Sequence, residues 1–344
     1  MSGSNYLQWL SAKTRTAWWH DSGDPKELQQ ALANGAVGVT TNPVLSAQAL
    51  DSNRELWREE ICKALDSTHE PGARAEALMR IVVTHAARQV EPIHRRTSGK
   101  NGYACAQVDP SLAGNREAMH EQAGRFNAWA PNIAIKLPAT LAGLDVMEKC
   151  CAEGMTVTLT VSFCVPQALA IGRRYQEILR AGKPGASIGR CFSVIMIGRL
   201  DDYLREVFAD NREVVAEKDL RMAGLAVVKR ALALYRENRF EATLLVAALR
   251  GNYHMSALAG GDLVMSIHPR YQKSLLEEAV ERAEKIDEAI PPDIVERLCR
   301  IPEFRRVYDP AGIPEKDMIS FGLTQRTLSQ FVETGWKALE QFRL

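Results

Sequence analysis

The sequence lacks an excess of either charge, and it lacks any long apolar run. It carries 43 lysine and arginine residues against 42 aspartate and glutamate residues, a formal net charge of +1. A near-neutral chain is not expected to bind nucleic acid or a membrane surface as its main role. Since no stretch approaches about 18 consecutive apolar residues, we predict no membrane-spanning helix. Residues 1–6 lack the basic and apolar parts of a signal peptide, so we expect a cytoplasmic protein.

Cysteine is scarce and scattered. The seven cysteines form no C-x-x-C motif and no cluster with histidine at the spacing of a metal site. An odd number of dispersed thiols is typical of a reduced cytosolic protein, and we expect no metal centre. The sequence also lacks a G-x-G-x-x-G motif after its first predicted strand, which disfavours a dinucleotide-binding open sheet.

Apolar runs alternate with amphipathic stretches along most of the chain. The runs are apolar at both odd and even positions, which is typical of parallel strands covered on both faces. We predict eight strands, near residues 17–21, 35–43, 103–109, 132–140, 156–163, 192–197, 243–250 and 262–268. Ser46 is predicted to cap a helix that continues to about Leu65. Eight strands separated by helices favour an α/β fold of the TIM (β/α)8 barrel type, with an open doubly wound sheet as the second choice.

No break in composition marks a second domain. We therefore predict a single domain over residues 1–344, with the barrel at about 17–287. Residues 288–344 extend beyond the eighth strand–helix unit and contain the amphipathic stretch Leu328–Phe342. We expect this helical extension to cap one end of the barrel.

One charged side chain interrupts an apolar strand, because Lys136 lies between Ile135 and Leu137. Burying an ammonium group is costly unless the group is paired or loses its proton. A neutral lysine amine is a nucleophile toward carbonyl carbons, which makes Lys136 a candidate Schiff-base lysine. The alternative is a lysine whose stem crosses apolar surface while its ammonium group reaches water. The strand alone favours that alternative, whereas the surrounding sequence favours the nucleophile.

Polar residues occur at the ends of most predicted strands. In a TIM barrel the active site lies at the carboxyl ends of the strands. This sequence places there Asp21, Thr41, Asn42, Gln107, Asp109, Lys136, Thr158, Thr160, Arg199 and Arg250. Structural explanations exist too, since Asp21 and Asn42 can close turns and threonine suits a strand. If these residues converge, a lysine, an acid, hydroxyl groups and two arginines suit a phosphorylated carbonyl substrate.

Several segments, in the same order along the chain, resemble the transaldolase family. Gly38–Pro43 is similar to that family's threonine–asparagine–proline signature, and Ile133–Thr140 resembles its Schiff-base strand. Further similar segments are Asp21–Asp24, Asn101–Tyr103, Val108–Pro110, Ala142–Leu144 and Gly154–Phe163 with Gln167 and Ala168. The resemblance extends from about residue 17 to residue 269, and more weakly beyond.

The resemblance implies a TIM barrel in which Lys136 forms a Schiff base with a ketose. Such an enzyme cleaves the C3–C4 bond, holds a dihydroxyacetone unit as an enamine and passes that unit to an aldose phosphate. The protonated imine accepts the electron pair, so the resemblance implies neither a metal nor a cofactor. Arg199 and Arg250 match the family's pair of arginines that grips the substrate phosphate.

The resemblance also implies roles for other strand-end residues. Asp21 matches the family's first-strand acid, which carries a proton at the C4 hydroxyl. Thr160 matches the threonine that positions a catalytic water. Asn42 matches the asparagine that holds the donor, and we expect Thr41 beside it to line the same substrate site. The family suggests a homodimer, whereas the sequence itself does not reveal the oligomeric state.

Departures from the family pattern concern the water site and the donor pocket. Gln107 stands where most of the family has a glutamate, and glutamine cannot take a proton. Fructose-6-phosphate aldolases, a branch of the same family, are similar in carrying glutamine there. Thr158 replaces an asparagine that binds the donor. Val194 replaces a serine, although a shift of one residue would bring Ser193 into the pocket instead.

Three functions remain open at this stage. The first is a transaldolase that transfers a dihydroxyacetone-type unit between sugar phosphates. The second, within the same class, is an aldolase that uses free dihydroxyacetone or hydroxyacetone. The third is a barrel that binds a phosphosugar without turning it over. Lys136 and Asp21 argue against the third, because binding alone requires neither residue.

Overall fold

The computed structural model describes residues 5–182, 185, 187–211 and 215–344. Residues 1–4, which belong to the segment predicted to lack a signal peptide, lie outside the described residues. The strands are β1 (Ala17–His20), β2 (Ala104–Gln107), β3 (Ile133–Pro138), β4 (Val157–Thr160), β5 (Cys191–Met196), β6 (Thr243–Ala247) and β7 (Val264–Ile267). All pair in parallel, in the order β1-β7-β6-β5-β4-β3-β2. The predicted α/β class is confirmed, and the sheet is consistent with a TIM-type barrel.

Helices connect the strands and cover the sheet. Those before β5 are α1 (Tyr6–Lys13), α2 (Pro25–Ala33), α3 (Pro43–Ser52), α4 (Arg58–Ser67), α5 (Pro71–Arg96), α6 (Arg116–Asn127), α7 (Leu141–Ala152) and α8 (Val165–Ala181). Those after it are α9 (Ile197–Asp210), α10 (Glu217–Asn238), α11 (Asn252–Leu258), α12 (Pro269–Glu277), α13 (Pro292–Cys299), α14 (Pro302–Tyr308), α15 (Gly322–Phe331) and α16 (Lys337–Glu340). None of the described helices has both the length and the apolar character needed to cross a membrane.

Three helices that follow strand ends share one amino-terminal capping pattern. Asp24, Asn42 and His268 each precede a proline, and each side chain accepts a hydrogen bond from a backbone N–H in the first turn. A side-chain acceptor satisfies an otherwise free N–H group, and proline at the first helical position presets φ. The prediction that Ser46 caps one helix that continues to Leu65 is therefore wrong. The helix instead begins at Pro43, and the segment forms two helices, α3 and α4.

The predicted strand at residues 35–43 is reduced to a single bridging residue. Val39 forms isolated parallel bridges with His20 of β1 and with Ala104 of β2. The Val39 N–H donates to the Tyr103 carbonyl at 2.8 Å, and the Val39 carbonyl accepts from the Cys105 N–H at 3.0 Å. The segment is short because α2 ends just before it and the Asn42 cap begins α3 just after it. The described sheet therefore has seven strands rather than the eight predicted.

The amino-terminal part of the sheet interior is filled by aromatic side chains. Trp19, Tyr103 and Phe192 are buried, and the rings of Trp19 and Phe192 meet edge to face with centroids 4.8 Å apart. A Cβ at Gly38 would lie 2.6 Å from the Trp19 ring, so glycine is needed for this ring to pack. The cavity toward the carboxyl ends of the strands is lined by several of the predicted site residues.

The carboxyl-terminal helices pack close to those strand ends. The π-helical turn Val332–Trp336 contacts α3, and α15 contacts α9. A Cβ at Gly335 would lie 2.8 Å from the Val44 nitrogen, so the two backbones approach closely just after Asn42. Elsewhere, all seven cysteines are free thiols.

Candidate active site

Lys136 lies in the interior row of β3 and is only 7% exposed. Its Nζ donates a hydrogen bond to the Thr41 carbonyl oxygen at 3.2 Å. Among the described residues, no carboxylate lies within ion-pair distance of this amine. In this part of the chain the amine thus has one hydrogen-bond partner and no ion pair. The site is therefore suited to an amine that reacts rather than to one that stabilises the fold.

Two polar side chains flank Lys136 in the sheet register. Gln107 on β2 and Thr158 on β4 are the Cα partners of Lys136, so the three side chains point to the same face. The Gln107 Oε1 atom is buried and has no hydrogen-bond partner among the described residues. The Thr158 hydroxyl lies 3.7 Å from the Cys105 sulfur. A buried acceptor without a partner is destabilising, and this one lies in the register position beside Lys136.

A chain of hydroxyl groups orients Asp21. The Thr40 hydroxyl donates to the Asp21 Oδ1 atom at 2.7 Å, and the Ser266 hydroxyl lies 2.5 Å from the Thr40 oxygen. Because Thr40 has only one hydroxyl proton, Ser266 must donate to Thr40. A hydrogen bond to an ionised acceptor is stronger than a neutral one, so the carboxylate is held in a defined orientation. Neither Thr40 nor Ser266 was predicted as a site residue.

Most of the predicted residues line one cavity of about 320 Å³ at the carboxyl ends of the strands. Those that do are Asp21, Asn42, Lys136, Thr160, Arg199 and Arg250. Thr41, Gln107 and Thr158 do not line it; they are buried immediately around Lys136. The structure thus brings nine of the ten predicted strand-end residues together at one end of the sheet, in two layers, whereas Asp109 caps the short helical turn Pro110–Leu112.

Asn42 and Thr41 make hydrogen bonds that the motif alone does not predict. The Asn42 Oδ1 atom accepts the Leu45 N–H at 2.9 Å as the cap of α3. The cap uses the amide oxygen, so the amide N–H groups are the part that can face a ligand in the cavity. The Thr41 hydroxyl donates to the Cys105 carbonyl at 2.5 Å, and the Thr41 carbonyl accepts from Lys136. Thr41 therefore holds the lysine through its backbone.

Arg199 enters the cavity from the start of α9 without a carboxylate partner among the described residues. Its Nη1 donates to the Gln330 Oε1 atom at 2.6 Å, and its guanidinium lies 5.1 Å from the centroid of the Phe331 ring. Burial, and then the nearby charge of Arg250, lower the pKa of Arg199 to about 10. The guanidinium remains charged at neutral pH and gains from an added anion.

Arg250 follows β6 and faces the same cavity. Its Nε and Nη2 atoms lie 2.9 and 2.8 Å from the Asp202 Oδ2 atom. A Cβ at Gly198 would lie 2.4 Å from the Arg250 Cγ atom, so the arginine crosses directly over the glycine. The two arginines, from neighbouring strand ends, form a site suited to a phosphate group.

Apolar side chains form the wall of the cavity beside the lysine. Val194 of β5 and Leu245 of β6 are register partners, and both line the cavity with Met196. Ser193 is fully buried and does not line the cavity. The strand register therefore resolves the alternative raised by the sequence: Val194, not Ser193, faces the site.

The loops that follow β3 and β4 are tied together by one buried side chain. The Gln167 Nε2 donates to the carbonyls of Ala139 and Val161 at 3.0 Å each, and its Oε1 accepts the Phe163 N–H at 2.9 Å. Val161 has a φ of +54°, which is strained for a β-branched residue. Strain of this kind persists only where the surroundings enforce it, so Gln167 helps to fix the strand end that carries Thr160.

Other cavity residues were missed by the sequence reasoning. They are Thr40, Ser266, His268, Arg270, Tyr271 and Phe331. His268 and Arg270 follow the last strand, so the strand-end argument could have found them. Thr40 and Ser266 carried a weaker signal, because short hydroxyl residues within strands usually reflect β propensity. The contribution of Phe331 depends on how the last helices pack.

The charges of the cavity are unbalanced. Its lining includes Lys136, Arg199, Arg250 and Arg270 but only one acid, Asp21. Among the described residues no group of three or more histidine, cysteine, aspartate or glutamate side chains is placed to hold a metal ion. A buried amine beside an oriented carboxylate can form an imine and move a proton, while the arginines attract an anionic group.

Comparisons with known proteins find relatives of this chain. A family model described as transaldolase/fructose-6-phosphate aldolase matches residues 18–309. A transaldolase of Neisseria gonorrhoeae is 30% identical over 217 residues, which cover 61% of this chain and 58% of that protein. A transaldolase of Mycobacterium bovis is 30% identical over 253 residues, or 66% and 64% of the two chains. A transaldolase of Acidothermus cellulolyticus is 29% identical over 214 residues, or 58% and 54%. The chain thus spans less than two thirds of the length of these relatives.

Proposed function

This chain belongs to the transaldolase/fructose-6-phosphate aldolase family, and on that basis we propose that it cleaves and forms a C–C bond of a ketose phosphate through a Schiff base on Lys136. The observation that carries the proposal is the buried Lys136 amine, which has no carboxylate partner among the described residues and opens into the cavity that contains Asp21. Neither a purely structural lysine nor simple sugar binding requires this pairing of amine and acid.

In the proposed reaction, the Lys136 amine adds to the ketose carbonyl and water leaves, which forms an iminium ion. Asp21 takes the proton of the C4 hydroxyl, and the C3–C4 bond breaks. The electron pair of that bond moves to the iminium, which gives an enamine, and the remaining fragment leaves as an aldehyde. Addition of the enamine to an acceptor aldehyde reverses these steps, and water then releases the new ketose and the free amine.

The neighbouring side chains fit supporting roles. The Asn42 amide N–H groups are available to hold the donor, because the side-chain oxygen serves as the cap of α3. Thr160, buried at the end of β4, is in a position to hold the water that hydrolyses the imine. Gln107 and Thr158 flank the lysine, where the unpaired Gln107 oxygen can accept a hydrogen bond from a hydroxyl group or a water. Arg199 and Arg250 bind the substrate phosphate.

Transfer to an aldose phosphate is the first choice, and aldol cleavage is the second. The observation that favours cleavage is Gln107, whose amide cannot act as a base toward the catalytic water. A coupled assay with and without an acceptor aldehyde separates the two reactions. A transferase releases product only when the acceptor is present, whereas an aldolase releases a free ketone without it.

Borohydride reduction in the presence of a ketose phosphate tests the chemistry itself. Reduction converts the imine to a stable secondary amine, and peptide mass mapping then locates the modified lysine. We expect the label on Lys136 and none on the protein treated without a ketose. A label on another lysine would refute the assignment of the nucleophile, and no label at all would favour a binding protein without turnover.

We also propose a closed barrel, a capping role for the carboxyl-terminal helices, and the partners and setting of the enzyme. Val37–Thr40, which hydrogen-bonds to both β1 and β2, serves as the eighth member of the barrel. Residues 288–344 cap the cavity as part of one domain, because Phe331 lines it and Gln330 contacts Arg199. The partners are sugar phosphates, and a homodimer in the cytoplasm is the expected setting of the reaction.

A further inference from the structure

A buried histidine and a buried aspartate lie behind the phosphate-binding arginines. Asp201 on α9 and His254 on α11 are 1% and 0% exposed. The His254 Nε2 atom lies 3.1 Å from the Asp201 Oδ2 atom. The approach is not aligned as an ordinary hydrogen bond, but neither atom has another hydrogen-bond partner among the described residues. Polar groups that are this deeply buried are normally paired, and here the two atoms lie close enough to pair with each other.

The same two side chains hold backbone groups through their other atoms. The Asp201 Oδ1 atom accepts the Gly224 N–H of α10 at 2.8 Å. The His254 Nδ1 atom accepts the Arg250 N–H at 3.2 Å. Because Nδ1 accepts, the imidazole proton is assigned to Nε2, which faces the carboxyl group. A continuous path of contacts therefore connects α10, through Asp201 and His254, to the backbone of Arg250.

The loop that carries Arg250 requires such support. Ala248 has a φ of +57°, a left-handed conformation that is unfavourable for alanine. Its carbonyl accepts hydrogen bonds from the Gly198 N–H at 3.2 Å and from the Arg250 Nη1 at 2.8 Å. The first contact ties the loop to the start of α9 and the second ties the guanidinium to the loop, but neither involves the Arg250 N–H, which His254 holds.

Glycine residues leave room for this arrangement. A Cβ at Gly224 would lie 2.6 Å from the Asp201 Oδ1 atom, and a Cβ at Gly198 would lie 2.3 Å from the Ala248 carbonyl oxygen. Both distances are too short for a real Cβ contact. The carboxyl group and the loop therefore fit only because α9 and α10 present bare backbone at these two points.

We propose that His254 and Asp201 are positioning residues that set the enzyme's affinity for phosphorylated substrates by holding the Arg250 backbone against α9 and α10. The inference rests on the proposed function, in which Arg250 binds the substrate phosphate. Neither residue lines the cavity that contains Lys136, so neither touches the reacting carbons. Loss of the pair releases the Arg250 loop and weakens phosphate binding, while the chemistry at Lys136 continues.

Substitutions at His254 test this role. Glutamine offers one acceptor for the Arg250 N–H and one donor toward Asp201, whereas leucine offers neither. We expect His254→Leu to raise KM for a ketose phosphate by about tenfold or more, with kcat and the KM for the unphosphorylated ketose changed by less than about twofold. His254→Gln is expected to stay within about threefold of the native KM. His85→Leu, at a partly buried histidine on α5, is the matched control.

Calorimetric titration with inorganic phosphate gives a readout that does not depend on turnover. We expect the native protein and His254→Gln to bind phosphate with similar Kd, and His254→Leu to bind about tenfold more weakly. Equal losses with phosphorylated and unphosphorylated substrates would reduce the pair to a structural role and overturn the proposal. An unchanged Kd in His254→Leu, or no binding by the native protein, would do the same.

A second variant covers the case in which His254→Leu does not fold. Asp201→Asn keeps an oxygen for the Gly224 N–H but places an amide NH2 group where the carboxylate oxygen faces the His254 Nε2 atom. We expect the same direction of change in phosphate Kd, with a folded protein by circular dichroism. A native phosphate Kd in Asp201→Asn would contradict the proposal. Failure of borohydride labelling alone would refute the Schiff-base function and leave this phosphate result intact.

Discussion

The two ends of the sheet interior differ although the same strands supply both. β1 contributes Trp19 to the aromatic layer, and Asp21 follows two residues later at the cavity. β5 contributes Phe192 to that layer and Val194 to the cavity. Side chains two residues apart point to the same side of a strand, so β1 and β5 each place one side chain in the packed layer and one at the cavity. The packed end stabilises the sheet, and this stability allows the other end to hold a buried amine and a strained loop.

Lys136→Ala is expected to have the largest effect at the functional end. Without the amine no imine forms, so turnover falls by several orders of magnitude. Among the described residues the side chain makes a single hydrogen bond, so we expect the fold and thermal stability to be retained. Steady-state kinetics together with a thermal melt measure both. A folded variant with substantial activity would mean that another group is the nucleophile.

Asp21→Asn is expected to have the next largest effect, because general acid–base catalysis contributes about 10²–10⁴-fold. Gln107→Ala removes only a hydrogen-bonding group and is expected to cost about tenfold or less. Asparagine at position 21 can still accept the Thr40 hydroxyl, so the geometry is kept and only the proton transfer is lost. A near-native kcat for Asp21→Asn would assign the proton to another residue. Gln107→Glu is expected to alter the balance between transfer and cleavage.

Phe192→Ala tests the packed end. Truncation of a buried phenylalanine costs about 3–5 kcal/mol of unfolding free energy, and here it also removes the edge contacts to Trp19 and Tyr103. We expect a marked loss of stability in urea unfolding, while kcat per folded molecule changes far less than in Lys136→Ala. A variant with native stability but little activity would contradict the division between the two ends.

Arg250→Ala is expected to raise KM for a phosphorylated substrate by about tenfold to a hundredfold, since charge-assisted hydrogen bonds contribute roughly 1.5–3 kcal/mol each. The unphosphorylated analogue is expected to lose much less. Arg236→Ala is the matched control, because Arg236 also pairs with an aspartate, Asp287, but lies outside the cavity. Equal losses with both substrates would make Arg250 structural.

Val194→Ser is expected to have the smallest effect, on the choice of donor. A hydroxyl group that faces valine loses a hydrogen bond, at a cost of about 1–3 kcal/mol, so we expect the native enzyme to accept hydroxyacetone at least as well as dihydroxyacetone. Serine at position 194 is expected to shift the kcat/KM ratio about tenfold toward dihydroxyacetone. Ser193→Ala, one residue away and outside the cavity, is the control. A preference of the native enzyme for dihydroxyacetone of about tenfold would contradict the prediction of an apolar donor pocket.

Patterns that depend on near neighbours in the chain were predictable. The parallel α/β sheet was predicted because the strands are apolar at both odd and even positions, which is a direct consequence of coverage on both faces. The candidate residues at the strand ends followed from the same reasoning, since the carboxyl ends of parallel strands meet at one edge. The start of α3 was wrong by a few residues, because Ser46 and Asn42 are both good caps and the following proline decides between them.

Sequence by itself determined the strand-and-helix alternation, the single lysine in an apolar strand and the strand-end acid and arginines, because local periodicity and side-chain chemistry are written in consecutive residues. Only the tertiary structure decided that Val194 rather than Ser193 faces the cavity, that Thr40 and Ser266 orient Asp21, and that His254 reaches the Arg250 backbone. Each of these depends on register or on contacts between distant segments. A one-residue shift in register exchanges the two faces of a strand, and no local pattern fixes that choice when both faces are buried.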